Sequence, residues 1–201
     1  MTPLLTYEVS DAPALNEMLV AEIGARRGKE GGVARSNRGG WHSKSDFFKR
    51  TEPGHKRLAG AIREAVKAAT LGVQPDAKIA ALRMETEGWI NVNPPGALNA
   101  PHDHPAWLWS GSYYAAMPDP PPARTSELPG TDGCIEFLDG RTNLKAVGNV
   151  DLPFLRDKVT IRPRAGLLLL FPSFVTHWVY PSPPGADRIS IAFNARFVSP
   201  R

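Results

Sequence analysis

The second half of the chain is divided into short apolar segments by prolines and glycines, which limits the folds available to it. From about Lys78 onwards, extended segments alternate with loops rich in Pro, Gly and Asp. This pattern favours a sandwich, barrel or jelly roll over a parallel α/β sheet. Predicted strands lie at 79–92, 100–104, 108–117, 133–138, 158–161, 165–171, 176–180 and 188–198. A proline-rich stretch at 118–131 is predicted to be a stiff loop that either borders a pocket or connects strands.

The first third of the chain has a different character. A short strand is predicted at 4–9, followed by a helix at 12–27 with apolar residues at helical spacing and Asp11 placed to cap it. A glycine-rich loop leads to a second amphipathic helix after Pro53. With 201 residues, the chain suits one domain that buries roughly 70% of its unfolded surface. We therefore predict a single domain, with helical support at residues 1–75 and a β core at 76–201.

Composition narrows the cellular setting and the partners. The longest apolar run, 166–171, is far shorter than the roughly 20 residues of a membrane helix, and the N-terminus has no export signal. Cys134 is the sole cysteine, which suits a reducing compartment, so a cytoplasmic location is expected. The net charge is +4, but no ladder of stacking aromatic residues accompanies the basic clusters, and nucleic acid is not an expected partner. The sequence does not define the oligomeric state, and a homodimer is compatible with it.

Three histidines form the strongest candidate for a reactive site. His102 and His104 stand at i and i+2, so in an extended segment they point to the same face. His177 follows a predicted turn and could complete a metal site from another strand. Divalent iron in oxygenases is held by such a set on one face, either three histidines or two with a carboxylate. Asp103 should point away from this face unless a bulge intervenes.

Arg188 and Ser190 suggest what the metal acts with. They alternate onto one face of a predicted strand, so a guanidinium and a hydroxyl could together hold a carboxylate. A dicarboxylate co-substrate would suit this pair. The alternative is a surface ion pair at the strand end.

Several further residues are candidates for the pocket. Asn91 shares a strand face with Asn93 and could hydrogen-bond a co-substrate or substrate. Trp107 and Trp109 alternate just after the histidine pair and either line the pocket mouth or pack the barrel. Trp41 follows the glycine-rich loop, which could fold over the site as a lid, with substrate contacts; plain packing is the alternative.

The combined motifs resemble a known family. The pattern Gly96-x-x-Asn99-x-Pro101-His102-x-His104, with His177-x-Val179-x-Pro181 and Arg188, is similar to the prolyl-hydroxylase-like group of Fe(II)/2-oxoglutarate oxygenases. The segments 110–114, 171–173, 177–179 and 188–194 resemble, more closely, a bacterial and phage branch of these 2OG-Fe(II) oxygenases. The resemblance covers roughly residues 76–197, and 36–41 is also similar to that branch.

The resemblance implies a double-stranded β-helix, a jelly-roll or cupin-like barrel that is mainly β, with the two N-terminal helices packed on it. It also implies Fe(II) as cofactor and 2-oxoglutarate as co-substrate. His102 would be the first iron ligand and His177 the distal one. Arg188 and Ser190 would anchor the distal carboxylate of 2-oxoglutarate, and Tyr113 or Tyr114 would add a hydroxyl; sequence alone does not choose between these tyrosines.

The sequence departs from the family pattern at His104, where Asp or Glu is usual. Either the iron site has three histidines, or a local bulge brings in Asp103 as the alternative ligand. Because His104 can still ligate, a halogenase-like open position is disfavoured. Losing the carboxylate would leave the iron site one charge unit more positive, which favours anion binding.

The function implied is that of a dioxygenase, an oxidoreductase that couples oxidative decarboxylation of 2-oxoglutarate to C–H hydroxylation of a small molecule or peptide residue, with O2 as the other substrate. Two alternatives remain. One is a cupin-type three-histidine metalloenzyme that does not use 2-oxoglutarate. The other is a non-enzymatic β-barrel binding module whose histidines are structural or hold zinc.

Overall fold

The structure is a computed structural model that describes residues 2–119, 130–138, 140 and 158–200. Short turns of 3-10 helix occur at Phe47–Lys49 and Ile79–Ala81. Over the described residues, the longer elements in chain order are β1 (Leu5–Glu8), α1 (Ala12–Arg27), β2 (Asn37–Arg38), β3 (Trp41–His42), α2 (Pro53–Val73), β4 (Arg83–Asn93), β5 (Leu98–His102), β6 (Trp109–Ala116), β7 (Ile135–Leu138), β8 (Lys158–Ile161), β9 (Leu167–Pro172), β10 (His177–Val179) and β11 (Arg188–Val198).

The strands form two antiparallel sheets. The larger has the order β1-β9-β6-β11-β4-β3, and the smaller has the order β2-β5-β10-β7-β8. One hydrophobic cluster joins their facing sides, with Tyr114, Leu169 and Phe171 from the larger sheet packed against Phe137 and Val179 from the smaller. The mainly β fold with flanking helices is therefore confirmed.

The two helices cover the outer face of the larger sheet. Leu19 of α1 and Ile62 of α2 share a second cluster with Ile90 of β4, and with Ile191 and Phe193 of β11. Because side chains alternate along a strand, the residues between these apolar ones point to the inside of the barrel. The helices thus complete the core and leave one sheet face free for a site.

The helix bounds agree with the sequence pattern, but the caps do not. Asp11 stands just before α1 in a left-handed conformation (φ 51°), and its side chain makes no capping hydrogen bond. It faces Arg57 instead, with 3.3 Å between Oδ2 and Nη2. The N-terminus of α2 is capped from α1, because Glu22 accepts hydrogen bonds from the backbone N–H groups of Gly54 and His55 at 2.8 and 3.1 Å.

The glycine-rich loop contains two short strands that the sequence did not predict. Asn37–Arg38 pairs with β5 of the smaller sheet, and Trp41–His42 pairs with β4 of the larger one. Gly39 (φ 76°) and Gly40 make the crossing; a Cβ at Gly40 would lie 2.6 Å from Oδ1 of Asn93. Two-residue strands carry no alternation signal, which is why this crossing segment (37–42) was missed.

The remaining predictions differ from the structure mainly in bounds. The predicted strands at 158–161 and 188–198 match β8 and β11, and the others shift by a few residues. Most of the proline-rich loop prediction falls on 120–129, outside the described residues. No described helix is long and apolar enough to cross a membrane.

Candidate metal centre

The three histidines come together at one end of the smaller sheet. His102 ends β5 and is paired in register with His177, the first residue of β10. His104 follows two residues later, and its backbone N–H donates to the carbonyl of Ser173 at 2.9 Å. One nitrogen from each ring lies within 4.8 Å of the others. This arrangement is a candidate metal site.

Two of the rings are oriented by the backbone. Nδ1 of His102 lies 2.7 Å from the carbonyl oxygen of Ala100, and Nδ1 of His177 lies 2.9 Å from that of Val175. A carbonyl only accepts, so Nδ1 carries the proton in each ring and Nε2 keeps its lone pair. Such backbone contacts are the usual outer support of metal-binding histidines.

The electrostatics keep the three rings neutral. Burial, together with the neighbouring rings, lowers the pKa of His104 to about 4 and that of His177 to about 3. Burial also lowers the pKa of His102. At neutral pH all three therefore offer lone pairs rather than protons, as metal binding requires.

Asp103, the alternative ligand, lies outside this group. It is exposed, whereas the neighbouring histidines are partly buried. Among the described residues, the candidate ligand set contains His102, His104 and His177 and no carboxylate. The extended backbone carries Asp103 to the opposite side from the two histidines, as alternation requires.

A narrow cavity leads from the histidines to a buried arginine. Its volume is about 40 Å³, and its lining includes Asn91, Arg188 and Ser190 as well as the histidines. Arg188 is only 2% exposed, yet its Nε and Nη1 have no hydrogen-bond partner. The ring of Tyr114 lies 5.3 Å from its Cζ. The hydroxyl of Tyr114 and Oδ1 of Asn91 are also buried without partners.

The unsatisfied N–H donors of Arg188 fit an anionic guest. Buried donors are normally hydrogen-bonded, and leaving a guanidinium unpaired is costly. Burial lowers the pKa of Arg188 and raises that of Tyr114, so both environments disfavour net charge without a counter-ion. A carboxylate would accept from Arg188 and from the hydroxyls of Tyr114 and Ser190. The residues present therefore suit the distal carboxylate of 2-oxoglutarate.

Four predicted site residues lie elsewhere. Tyr113 points to the helices, where its hydroxyl donates to Oδ1 of Asn16 at 2.7 Å. Trp109 also faces the helices and donates to Oγ1 of Thr70. Trp41 donates to the carbonyl of Glu30, again on the outer face. Trp107 lines a separate groove that contains no histidine and stacks with the guanidinium of Arg196.

Strand parity explains three of these positions. Tyr113 and Trp109 share the face of β6 opposite to Tyr114, and Trp41 pairs with Val92, an outer-face residue of β4. Parity depends on where each strand registers with its neighbours, which the sequence does not state.

A wider cavity of about 420 Å³ opens on the other side of His102 and His104. Its lining includes Arg35, His42, Glu87 and Trp89, none of which the sequence predicted as a site residue. Glu87 and Trp89 lie on the same face of β4 as Asn91, so the two-residue periodicity that indicated Asn91 also indicates them. Arg35 carries no such signal.

Comparison with known proteins identifies the class. The model of a family described as "Putative 2OG-Fe(II) oxygenase" matches residues 87–194, more than half of the chain. That segment contains the histidines and the buried arginine. The protein is thus an iron- and 2-oxoglutarate-dependent oxygenase, an enzyme that takes Fe(II) as cofactor and 2-oxoglutarate as co-substrate. The chain belongs to this 2OG-Fe(II) oxygenase family.

Solved structures with the same fold include a Pseudomonas putida prolyl-4-hydroxylase, with a TM-score of 0.66, 19% identity, and coverage of 100% of this chain and 95% of that one. A Trichoplax adhaerens prolyl hydroxylase, solved with a hypoxia inducible factor peptide fragment, has a TM-score of 0.63 and 14% identity. The match covers 97% of this chain and 84% of that one. HygX from Streptomyces hygroscopicus, solved with nickel and 2-oxoglutarate, has a TM-score of 0.63 and 14% identity. The match covers 96% of this chain and 82% of that one. These likenesses confirm the double-stranded β-helix fold. A search of curated proteins finds no match.

Proposed function

We propose that this oxygenase hydroxylates a C–H bond of a small molecule or peptide residue, with His102, His104 and His177 as iron ligands. The observation that carries the proposal is a buried Arg188, whose Nε and Nη1 have no hydrogen-bond partner, in the same narrow cavity as the three histidines. When bound, Fe(II) would supply O2 activation, so that 2-oxoglutarate yields succinate and CO2 and one oxygen atom enters the substrate.

The chain's own residues would bind and orient the reactants. Arg188, Ser190 and Tyr114 would hold the distal carboxylate of 2-oxoglutarate, and Asn91 would accept or donate a hydrogen bond beside it. Phe171 and Val179 line the same cavity and would exclude water from it. The chain, residues 1–201, would act as one domain, since the helices and the sheet that carries Arg188 share a core.

The direct test measures succinate. Protein loaded with Fe(II) should convert 2-oxoglutarate to succinate in air, slowly without substrate and faster with one, and His177→Ala should abolish this. Metal-dependent O2 uptake that is independent of 2-oxoglutarate would instead favour the three-histidine enzyme without a co-substrate. Purification with zinc in a closed four-ligand site would favour the binding module.

A binding test isolates the arginine. Arg188→Ala should weaken 2-oxoglutarate binding to the iron-loaded, oxygen-free protein roughly 100-fold, because the variant removes a buried charge partner. Arg196→Ala is a matched control on the same strand, since Arg196 pairs with Glu85 outside the narrow cavity. Equal affinities for the two variants would contradict the assignment.

A further inference from the structure

The 420 Å³ cavity beside the histidines carries two opposite charges. Glu87 lies on one wall and Arg35 on another, and the cavity shares His102 and His104 with the candidate metal centre. Its volume is in the range of small-molecule binding pockets. What fills it would lie next to the metal.

The carboxylate of Glu87 is held in place by neutral groups. Its Oε1 accepts from Nδ2 of Asn194 at 2.9 Å, and Oδ1 of Asn194 accepts from the hydroxyl of Ser110 at 2.6 Å. Asn194 and Ser110 are both about 1% exposed, so this support is rigid. Both Arg83 and Arg196, the cations nearest along the strands, pair with Glu85 instead.

Glu87 therefore has a fixed orientation and no ion-pair partner within the described part of the chain. A partly buried carboxylate of this kind is a binding group for a cation. Glu87 and Trp89 lie on the same face of β4, and two residues of a strand correspond to about 7 Å.

The guanidinium of Arg35 is the complementary group. The backbone at Arg35 is held by its N–H, which donates to Oδ1 of Asn37 at 3.0 Å. No carboxylate of the described residues pairs with its side chain, which is exposed at the rim of the cavity. A guanidinium in this position can take a carboxylate in a two-pronged hydrogen bond.

An aromatic wall connects this cavity to the candidate metal centre. The rings of His42 and Trp89 stack with centroids 5.7 Å apart and an angle of 14°, and Trp89 lies 5.5 Å from the ring of His104. Such a wall packs against a short hydrocarbon segment. It would keep C–H bonds, rather than charged groups, near the metal.

We infer that the substrate is a small zwitterion, whose cationic nitrogen is bound by Glu87 and whose anionic group is bound by Arg35, as in a free amino acid. This assignment rests on the proposed oxygenase function and specifies the substrate class of the same site. A cavity lined by one carboxylate and one guanidinium, neither of them in an ion pair with a described residue, matches a guest that carries both charges.

The test measures binding rather than turnover. Oxygen-free protein carrying Fe(II) and 2-oxoglutarate is titrated calorimetrically with free L-amino acids, with their N-acetyl derivatives, which lack the cation, and with their amides, which lack the anion. At least one free amino acid should bind, and both blocked forms should bind roughly tenfold or more weakly. Tight binding of the N-acetyl form, or no binding by any free amino acid, would overturn the inference.

Two matched variants locate the cation subsite. Glu87→Gln should lower the affinity for the free amino acid that binds by roughly tenfold or more. Glu85→Gln, the same change two residues earlier, should leave that affinity unchanged. Equal effects would overturn the assignment of Glu87. Arg35→Gln tests the anion subsite in the same way, and because Arg35 is exposed the change does not threaten folding. This variant should bind the free amino acid more weakly, but its affinity for the amino acid amide should not change.

The same titrations separate this inference from the proposed function. The iron and 2-oxoglutarate steps precede the amino acid step, so their failure would count against the oxygenase assignment. Their success without an amino acid signal would count against the zwitterion alone.

Discussion

His104 distinguishes this metal centre at the scale of single residues. It stands where the family pattern usually has a carboxylate. Its ring centroid lies 5.0 Å from that of His102 and 5.3 Å from that of His177. Three neutral ligands leave the full charge of the metal uncompensated by side chains. The carboxylates of 2-oxoglutarate would then supply the neutralising charge.

This geometry predicts unequal effects for two adjacent substitutions. His104→Ala should weaken Fe(II) binding by more than about tenfold, since even outer-shell changes at metal sites cost that much. Asp103→Ala should leave the affinity nearly unchanged, because Asp103 is exposed and outside the candidate ligand group. Competition with a coloured chelator measures both. The reverse order of effects would show that Asp103 is the ligand.

At the scale of elements, β6 depends on a close approach to its neighbours at Gly111. A Cβ there would lie 2.4 Å from the carbonyl oxygen of Leu169 and 2.4 Å from Cζ of Phe193. The first contact is with backbone of β9, which cannot move without breaking the sheet.

Gly111→Ala should therefore destabilise the protein by about 1–3 kcal/mol or more, as overpacking does. Gly60→Ala, on the exposed side of α2 with nothing within 4 Å of the added methyl, should instead stabilise it by up to about 1 kcal/mol. Urea unfolding of the two variants measures both signs. A neutral Gly111→Ala would contradict the register of β6 with β9.

A partly buried carboxylate links the two helices. Glu22 of α1 accepts from two backbone N–H groups at the start of α2, and its Oε2 lies 2.6 Å from Nδ1 of His55, which is 1% exposed. Both helices press on the sheet that carries Arg188, so this contact supports the site indirectly.

Glu22→Ala should cost about 2 kcal/mol or more of unfolding free energy, because it leaves these buried donors unsatisfied. Glu17→Ala, on the exposed side of the same helix, should change it by less than about 0.5 kcal/mol. Thermal or urea unfolding compares them. If both variants were equally stable, the capping of α2 by α1 would carry no energy.

At the scale of the whole molecule, the metal-free protein should lose stability on acidification. The histidines have an ordinary pKa of 6.5 when unfolded, whereas in the folded chain those of His104 and His177 are about 4 and about 3. Below pH 6.5 the unfolded chain therefore takes up protons that the folded chain refuses, so stability falls from pH 6.5 toward those lower values.

At pH 5.5 the loss should be about 1 kcal/mol for each of these histidines, relative to pH 7.5. Urea unfolding at the two pH values measures it, and His177→Ala should reduce the difference by one histidine's share. Bound Fe(II) should raise stability at pH 7.5 and lose this effect on acidification, since protons compete for the same nitrogens. A metal-free protein equally stable at both pH values would contradict the neutral, buried state of these rings.

Local patterns in the sequence predict both helices, most strand positions, and the grouping of His102, His104 and His177. These features depend on local periodicity and on i, i+2 spacing, which a linear pattern records directly. The choice of Tyr114 over Tyr113 as the neighbour of Arg188 depends on the tertiary structure. So does the placement of the three tryptophans Trp41, Trp107 and Trp109 away from the narrow cavity. The tertiary structure also brings Glu87 and Arg35 to one cavity. Those outcomes depend on strand register and on how the crossing segment joins two sheets, and contacts between distant residues leave no local signal in the chain.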